Sequence, residues 1–584
     1  MNSSTTTEAQ TEFQASLTEE PPKDNGELSG VDGGDKGDDS QEKKDDTQSQ
    51  RLVSLGLRAV LFHDPEKSAW ARVPVQGHHE VCRIDSKAFT TWLIGEYYAA
   101  YNSVPSQNST TGALLALQAK AVYEGNQHEV FTRYAYQNNA IYLDLCNTAW
   151  QSVKVSDTGW QIQAVSDVMF RRASKSLPLP EPLHDGSIND LRHFLNRKIT
   201  DPEFVLIKAF LLGSLQPAGS FVHLDLEGEK GSGKSTTTRV IRELIDPVRG
   251  ALLPIPKSEQ DLTIAASTSR ILSYDNLSGL SANMSDALCR LSTGGGFAGR
   301  KLYTDDDESI IEVKRPVIFN GIDSIATKPD LLDRCIVINL QEITDSARID
   351  EETFWLDYEQ QKPFILGALL TAASQALKNR NSVKLSKLPR MADFTKWVVA
   401  AQDALSFQGM DFTTIYGSNR DEATDIALEA DALAGAIKVR LDRQGSFAGG
   451  PAYIVKELAP YLDCKPTNMP TERTIRKRLL TLKPSLRKNG VEIEITPRTK
   501  TGHIITVKSG VAVADEADLS SSTSPSPDSI TGARNIDDDL EKDIVIASSP
   551  WEGEPGNASD DDVDDDEDLQ TLVTDTTSKR GNEP

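Results

Sequence analysis

The chain has 584 residues, with 62 Lys+Arg against 87 Asp+Glu and a formal net charge of −25. The acidity sits in two tails: residues 1–50 hold 13 acids and 4 bases, residues 511–584 hold 21 acids and 4 bases, and residues 51–510 are left near neutral with 53 acids and 54 bases. Both tails are rich in Asp, Glu, Ser, Thr and Gly and poor in large apolar residues, which predicts disorder and excludes a single uniformly acidic domain.

The stretch between the tails is too long for one ordinary core, so three domains are expected. MNSSTTTEAQTEF has neither a basic nor an apolar signal region, and no window holds eighteen consecutive apolar residues. No signal peptide and no membrane span are expected. Cys82, Cys146, Cys289, Cys335 and Cys464 are odd in number and far apart, and none forms CxxC. A disulfide framework or structural zinc site is not expected, and the prior is a cytoplasmic protein with reduced thiols.

In chain order, residues 51–66 read as an irregular entry. AFTTWLIGEYYAAYN and TGALLALQAKAVYEG have helical spacing, whereas EVFTRYAY, AIYLDL and SVKVSDTGWQIQAV alternate like strands. This 51–200 region is expected to be an accessory α+β domain, with Trp70, Trp92, Trp150 and Trp160 in its core. The Pro-rich SLPLPEPLHDG marks a boundary, and INDLRHFLN and DPEFVLIKAFLLGSL read as helices beyond it. Strands and helices then alternate from Phe221 to about Leu340, which predicts an α/β core over 201–345 with a mainly parallel sheet. Residues 346–420 are helical and Ala-rich, read as a lid. IALEADALAGAIKVRLDRQ reads as one helix at the start of a 421–510 unit.

FVHLDLEGEKGSGKSTTTRVIRELI holds the pattern GxxxxGK[ST] in full, from Gly228 through Glu229, Lys230, Gly231 and Ser232 to Gly233, Lys234, Ser235 and Thr236. A strand-like run precedes it and a helix-like run follows. Glycines let backbone N–H groups turn inward around phosphates, and the helix N-terminus adds positive potential. Lys234 is expected on the β- and γ-phosphates of ATP and Ser235 on Mg²⁺. The plain alternative is a Gly-rich turn with an exposed lysine.

RILSYDN ends in Asp275, 41 residues after Lys234, where the acid that holds Mg²⁺ is expected. RPVIFNGID ends in Asn320, 45 residues further on, where an amide can orient a water. The plain alternative for each is a polar residue in a strand-end turn. PDLLDRCIVINL puts Arg334 just before a strand; it reads as an arginine finger for a neighbouring subunit or as a surface ion pair.

Together these residues resemble superfamily 3 helicases, ring-forming AAA+-like ATPases, and within them the helicase-like ATPases of phage and mobile-element primase–helicase proteins. The match is GEKGSGKS, RILSYDN, LCRLSTGGGFAGRKLYTDDDE, KRPVIFNGI and PDLLDRCIVINL, in that order. Lys234 to Asn320 spans only 87 residues, in keeping with that superfamily's compact core. The resemblance implies a P-loop NTPase core and a loop or hairpin over LSTGGGFAGRKLYTDDDE facing a central channel, with Arg300 and Lys301 as DNA contacts. One departure stands out. Many such motors place Glu after the Mg²⁺-binding Asp, whereas Asn276 follows here, and an amide is a very poor base. Asp225 and Glu227 are the alternative acids. No primase module is visible, so any primase would be a separate chain.

Residues 451–510 carry 12 Lys+Arg against 5 acids. AYIVKELAPYL and MPTERTIRKRLLTLKPSL read as helices, the second with Pro470 in its first turn and Ile475, Leu479 and Leu482 facing a core. VEIEI and HIITV flank the basic PRTKTG as a hairpin. Two helices and a basic hairpin form a winged-helix pattern, with Arg473, Arg476, Lys477, Arg498 and Lys500 as candidate DNA contacts. A solvated charged helix is the alternative, and the acidic run 560–569 reads as a solubilising tail or a cover for the basic surface.

The expected function is an ATP- and Mg²⁺-dependent DNA helicase or translocase of a phage, plasmid or integrated element. It would act in replication on single-stranded or forked DNA as a homo-oligomeric, hexameric ring. An ATP-gated DNA-binding switch with slow or no hydrolysis is the second reading. A P-loop kinase is a third, but nothing resembles a lid for an acceptor substrate.

Overall fold

The computed structural model describes residues 46–510 except 165, 301–307, 323, 463–469 and 498–502. The two acidic tails, Cys464, Lys301, Arg498 and Lys500 lie outside the described residues. The stretch read as an irregular entry is ordered: helix α1 (Gln48–Gly56) starts on a Thr47–Gln50 capping box and leads into strand β1 (Val60–His63).

Strands β2 (Ala69–Val75), β3 (His78–Arg83) and the short β4 (Asn126–Gln127) complete a sheet of order β3-β2-β1-β4. Helices α2 (Lys87–Tyr101) and α3 (Gln107–Tyr123) form where helical spacing predicts them, and their Leu93, Tyr97, Leu117 and Ala121 share a core with Leu52, Ala71 and Val73. A short pair, β5 (Val130–Phe131) and β10 (Met169–Phe170), flanks a second sheet. That sheet is the meander β6 (Tyr134–Gln137), β7 (Ala140–Asp144), β8 (Ser152–Ser156) and β9 (Gly159–Gln163). Of the four tryptophans assigned to a core, only Trp70 is buried; Trp92, Trp150 and Trp160 are half-buried, with Trp150 stacked on His78 and Trp160 on His184.

A 3₁₀ turn (Ile188–Phe194) and helix α4 (Asp201–Gly213) lead to the central sheet. Its strands are β11 (His223–Gly228), β12 (Leu272–Leu277), β15 (Val317–Gly321) and β16 (Cys335–Leu340), in the order β12-β15-β11-β16, all parallel. Crossovers run through α5 (Lys234–Ile245), α6 (Glu259–Ser267), α7 (Ala282–Thr293) and α8 (Pro329–Leu332). Between α7 and β15 an antiparallel hairpin projects, β13 (Gly296–Arg300) with β14 (Glu308–Glu312), in the register Gly296↔Glu312 to Arg300↔Glu308. The expected hairpin over this segment therefore exists.

Helix α9 (Glu351–Asn379) runs for 29 residues through Pro363. It is no free-standing lid. Its Ile365, Leu366, Leu369 and Leu370 lie in one core with Ile141, Leu143, Val153 and Val155 of the meander and Leu224, Val240 and Ile241 of the central layer. The Pro-rich boundary segment lies tightly against it: a Cβ on Gly367 would fall 1.8 Å from the Leu183 carbonyl oxygen. Only glycine permits that approach.

A buried ion pair joins the same layers. Arg133 Nε lies 3.1 Å from Asp246 Oδ1, with side chains 0% and 1% exposed. Arg133 also donates to the carbonyls of Asp144, Leu177 and Pro247, and Asp246 Oδ2 accepts from Arg270 N at 2.7 Å. Removing one member of a satisfied buried pair strands the other charge, so Arg133→Ala is expected to cost about 3–5 kcal/mol, read as a lowered urea midpoint.

After α10 (Ala392–Val399), helix α11 (Phe412–Ala430) runs unbroken across position 420. The single helix expected over IALEADALAGAIKVRLDRQ is broken at Asp431, whose carboxylate caps the N–H groups of Leu433 and Ala434 and starts α12 (Ala432–Gln444). Next come β17 (Phe447–Gly449), α13 (Pro451–Leu458), α14 (Glu472–Lys488), β18 (Val491–Ile495) and β19 (Ile505–Ser509), with sheet order β17-β19-β18. Pro470 precedes the N-cap Thr471 and so lies outside the first turn of α14. Ile475, Leu479 and Leu482 are buried as the spacing predicts.

Candidate nucleotide site

The chain leaves the sheet at Gly228 with φ +141°, where a Cβ would lie 2.2 Å from the Leu340 carbonyl oxygen at the end of the neighbouring strand. Gly233, at φ +80°, is the N-cap of α5. Between them Glu229, Lys230 and Gly231 are exposed, and Ser232 is buried. The loop is braced from outside. Asn196 Nδ2 donates to Ser232 O at 2.9 Å and to Gln341 O at 2.6 Å, and Ile343 N donates to Gly231 O at 3.3 Å.

Lys234 folds back over the loop. Its Nζ donates to Gly228 O and Glu229 O, both at 2.7 Å, and reaches Ser232 Oγ at 3.4 Å. Burial lowers its pKa, partly offset by the Asp275 carboxylate. Ser235 and Thr236 are exposed on the first turn of α5. Ser235 Oγ donates to Asp275 Oδ1 at 2.7 Å. The two oxygens expected on one Mg²⁺ are thus brought together from elements 40 residues apart.

Asn320 lies on β15, between the strands that carry Gly228 and Asp275. It is 1% exposed; its Oδ1 accepts from Asn276 N at 3.1 Å and its Nδ2 donates to Thr238 Oγ1 at 2.9 Å. Each end of the amide holds one bond, leaving one donor and one acceptor position for a water. Asn276 itself has φ +57° at an irregularity where the β12–β15 register shifts between Tyr274 and Leu277. Asn tolerates the left-handed region where Glu is disfavoured, which explains an amide at this position on backbone grounds. Asp225, on β11, is fully buried. Burial and the Glu227 charge hold its pKa well above the ordinary carboxylate range, and its Oδ2 accepts from Ala326 N at 3.2 Å.

Arg334 is far from the loop of its own chain. Cys335 pairs with His223 and Leu340 with Gly228, so Arg334 stands at the opposite end of the sheet, about 20 Å away at roughly 3.3 Å per residue. Its guanidinium pairs with Asp330 Oδ2 at 2.8 Å. Burial pushes the Asp330 carboxyl up, but hydrogen bonds from Arg334 and Arg390 outweigh it and hold the group at about 2.

A cavity of about 340 Å³ opens beside the loop. Gly233, Thr236 and Thr237 form one wall, residues 193–198 a second, and Ile343 to Trp355 a third. The second and third walls carry no motif, and their segments are some 150 residues apart in sequence.

Among the candidate DNA contacts, Arg473, Arg476 and Lys477 are exposed on α14 and make no ion pair with the described residues. They share one face with the exposed Leu480 and Arg487. Neighbouring Arg478 instead pairs with Asp431 at 3.0 Å. Arg300 ends β13. Among the described residues, no cluster of three or more His, Cys, Asp or Glu side chains is placed to hold a metal, and no helix is long and apolar enough to cross a membrane.

Residues 188–425 match the model of a family described as the actinomycete integrative conjugative element replication protein. No curated protein matches the chain. Among solved structures, the A form apo structure of the NrS-1 C terminal region is similar at 11% identity and a TM-score of 0.37, covering 80% of this chain and 100% of that one. A second A form apo structure of that region, residues 305–718, gives 11% identity and 0.35, covering 79% and 98%. The family match takes in the glycine loop, Asp275, Asn320 and Arg334, and it supports a replication protein of a mobile element.

Proposed function

We propose that this chain is an ATP-driven DNA helicase or translocase that serves the replication of a mobile element. The observation that carries the reading is the Ser235–Asp275 contact, made between the first turn of α5 and strand β12, with Asn320 on the neighbouring strand β15 and the Lys234 side chain folded back over the glycine loop. A P-loop ATPase needs that constellation.

ATP would place its β- and γ-phosphates against Lys234 and the loop N–H groups from Gly228 to Thr236. Mg²⁺, held by Ser235 and Asp275, would supply charge neutralisation at the phosphates. Asn320 would orient a water through its uncommitted amide positions. Arg334, which stands too far from its own loop, would serve the loop of the next subunit in a hexameric ring. The order α12–β17–α13–α14–β18–β19 supports a winged-helix reading, with α14 on the DNA backbone or in a groove. The β13/β14 hairpin, whose first strand ends at Arg300 with Lys301 the next residue in sequence, is the second candidate contact with DNA.

The ATP-gated switch is the second reading. Asn276 in place of a general base and the full burial of Asp225 favour it. The steady-state ATPase rate of the full chain, with and without single-stranded DNA, separates the two. The motor predicts stimulation by DNA. ATP binding with no turnover under either condition would overturn the motor and leave the switch.

A further inference from the structure

We infer that Arg390, which no sequence motif marks, is a positioning residue for Arg334: it holds the Asp330 carboxylate, and Asp330 aims the Arg334 guanidinium. The inference rests on the reading of Arg334 as the arginine that serves the next subunit's nucleotide, and extends it to what fixes that side chain. An arginine that acts across a subunit boundary gains from being held in one direction beforehand, because a freely turning side chain loses rotamer entropy at each engagement. Arg334 is held in this way. It is only 9% exposed, so its direction is set by what it touches. Its Nη1 donates to the Asp330 carbonyl oxygen and lies 2.8 Å from Asp330 Oδ2.

Asp330 is shared between two arginines. Its Oδ2 takes Arg334, and its Oδ1 accepts from Nη2 of Arg390. A carboxylate engaged at both oxygens has little freedom to rotate, so Arg390 sets the plane in which Arg334 is received. Arg390 comes from the segment between α9 and α10, and its Nη1 donates to Asp333 Oδ2 at 2.9 Å. One guanidinium thus spans both acids of the turn that ends α8. Asp333 Oδ1 accepts in turn from Arg420 Nη2 of α11 at 3.0 Å. The adjacent Asn419 pairs with both backbone groups of Val337 on the edge strand β16, at 3.1 and 2.6 Å. The turn before Arg334 and the strand after it are therefore mounted on the same helical layer. Arg334, Arg390 and Arg420 meet only Asp330 and Asp333 in this network, which leaves one positive charge in surplus. A surplus cation suits a surface that approaches an anionic phosphate.

The test is the steady-state ATPase rate of the full chain with single-stranded DNA, in a double-mutant cycle of Arg334→Ala and Arg390→Ala. Arg390→Ala is expected to lower kcat by about tenfold or more and to leave the KM for ATP within about twofold, the pattern of a contact made only in the transition state. In the Arg334→Ala background the same substitution should change kcat by less than about twofold, because Arg390 acts through Arg334 alone. Arg390→Lys keeps the charge but not the fork that spans two acids, so its rate should lie between those of the parent and Arg390→Ala. It carries the same cycle if Arg390→Ala folds poorly. A residue that only supports the fold would lower kcat equally in both backgrounds. That result, or an unchanged rate for Arg390→Ala in the parent, would overturn the inference and leave the reading of Arg334 standing. If Arg334→Ala turns over like the parent while Lys234→Ala does not, the reading of Arg334 fails and the inference falls with it. A parent with no turnover removes the motor and the inference together.

Discussion

Lys234→Ala is expected to lower DNA-stimulated ATP turnover by about 100-fold or more, the scale seen when one preorganised donor to a developing charge is removed. The ammonium is poised by the carbonyls of Gly228 and Glu229, at 2.7 Å each, over the space the loop encloses. Alanine removes the charge and all three donors and leaves the backbone cradle intact. Stability should not fall with activity. The lysine pKa is lowered in the folded state, so folding disfavours its charged form; at any pH below that lowered value the charged side chain opposes folding. The variant should therefore unfold no earlier than the parent at neutral pH. Phosphate release with single-stranded DNA, read beside a thermal melt, is the measurement. Turnover equal to the parent's would remove Lys234 from the mechanism, and equal loss of turnover and melting temperature would make it a folding residue.

The second large effect concerns DNA. The triple variant Arg473→Ala, Arg476→Ala, Lys477→Ala is expected to weaken binding by about 100-fold or more near 0.1 M salt. Each phosphate contact contributes roughly 0.7 to 0.9 to the slope of log K against log salt, so the slope should fall by about 2 to 3. The three side chains are exposed, and none is tied to a described acid. Their loss should leave the buried row of Ile475, Leu479, Leu482 and Leu486 beneath them untouched. Fluorescence anisotropy over a salt series gives both numbers. An unchanged slope would mean that α14 carries its charge for solubility, and attention would shift to the hairpin.

What was legible in the sequence was local. The loop from Gly228 to Thr236, the acid at Asp275 and the amide at Asn320 lie at strand ends whose alternation is plain, and a parallel sheet brings such ends to one edge. The helix faces of α14 followed from spacing alone. What was not legible depends on long-range approach. The braces and walls of the cavity, Asn196, Ile343, Arg348 and Trp355, come from segments that meet only when α9 packs beside α5. The break at Asp431 was hidden because an alanine-rich run keeps helical spacing on both sides of a capping residue. Asn276 read as a chemical departure, whereas its left-handed backbone gives it a conformational reason.

The shared core also bears on modularity. The stretch that matches the replication family begins at residue 188, just past the Pro-rich segment. Yet Ile141, Leu143, Val153 and Val155, which lie before that point, pack in one core with Leu366 and Val240, which lie after it. The Leu183 backbone is pressed against Gly367. The unit that can be inherited or exchanged is therefore larger than the stretch that matches the family. An element that borrowed only residues 188–425 would acquire the glycine loop together with a naked hydrophobic face, and the meander must travel with it as part of its interior.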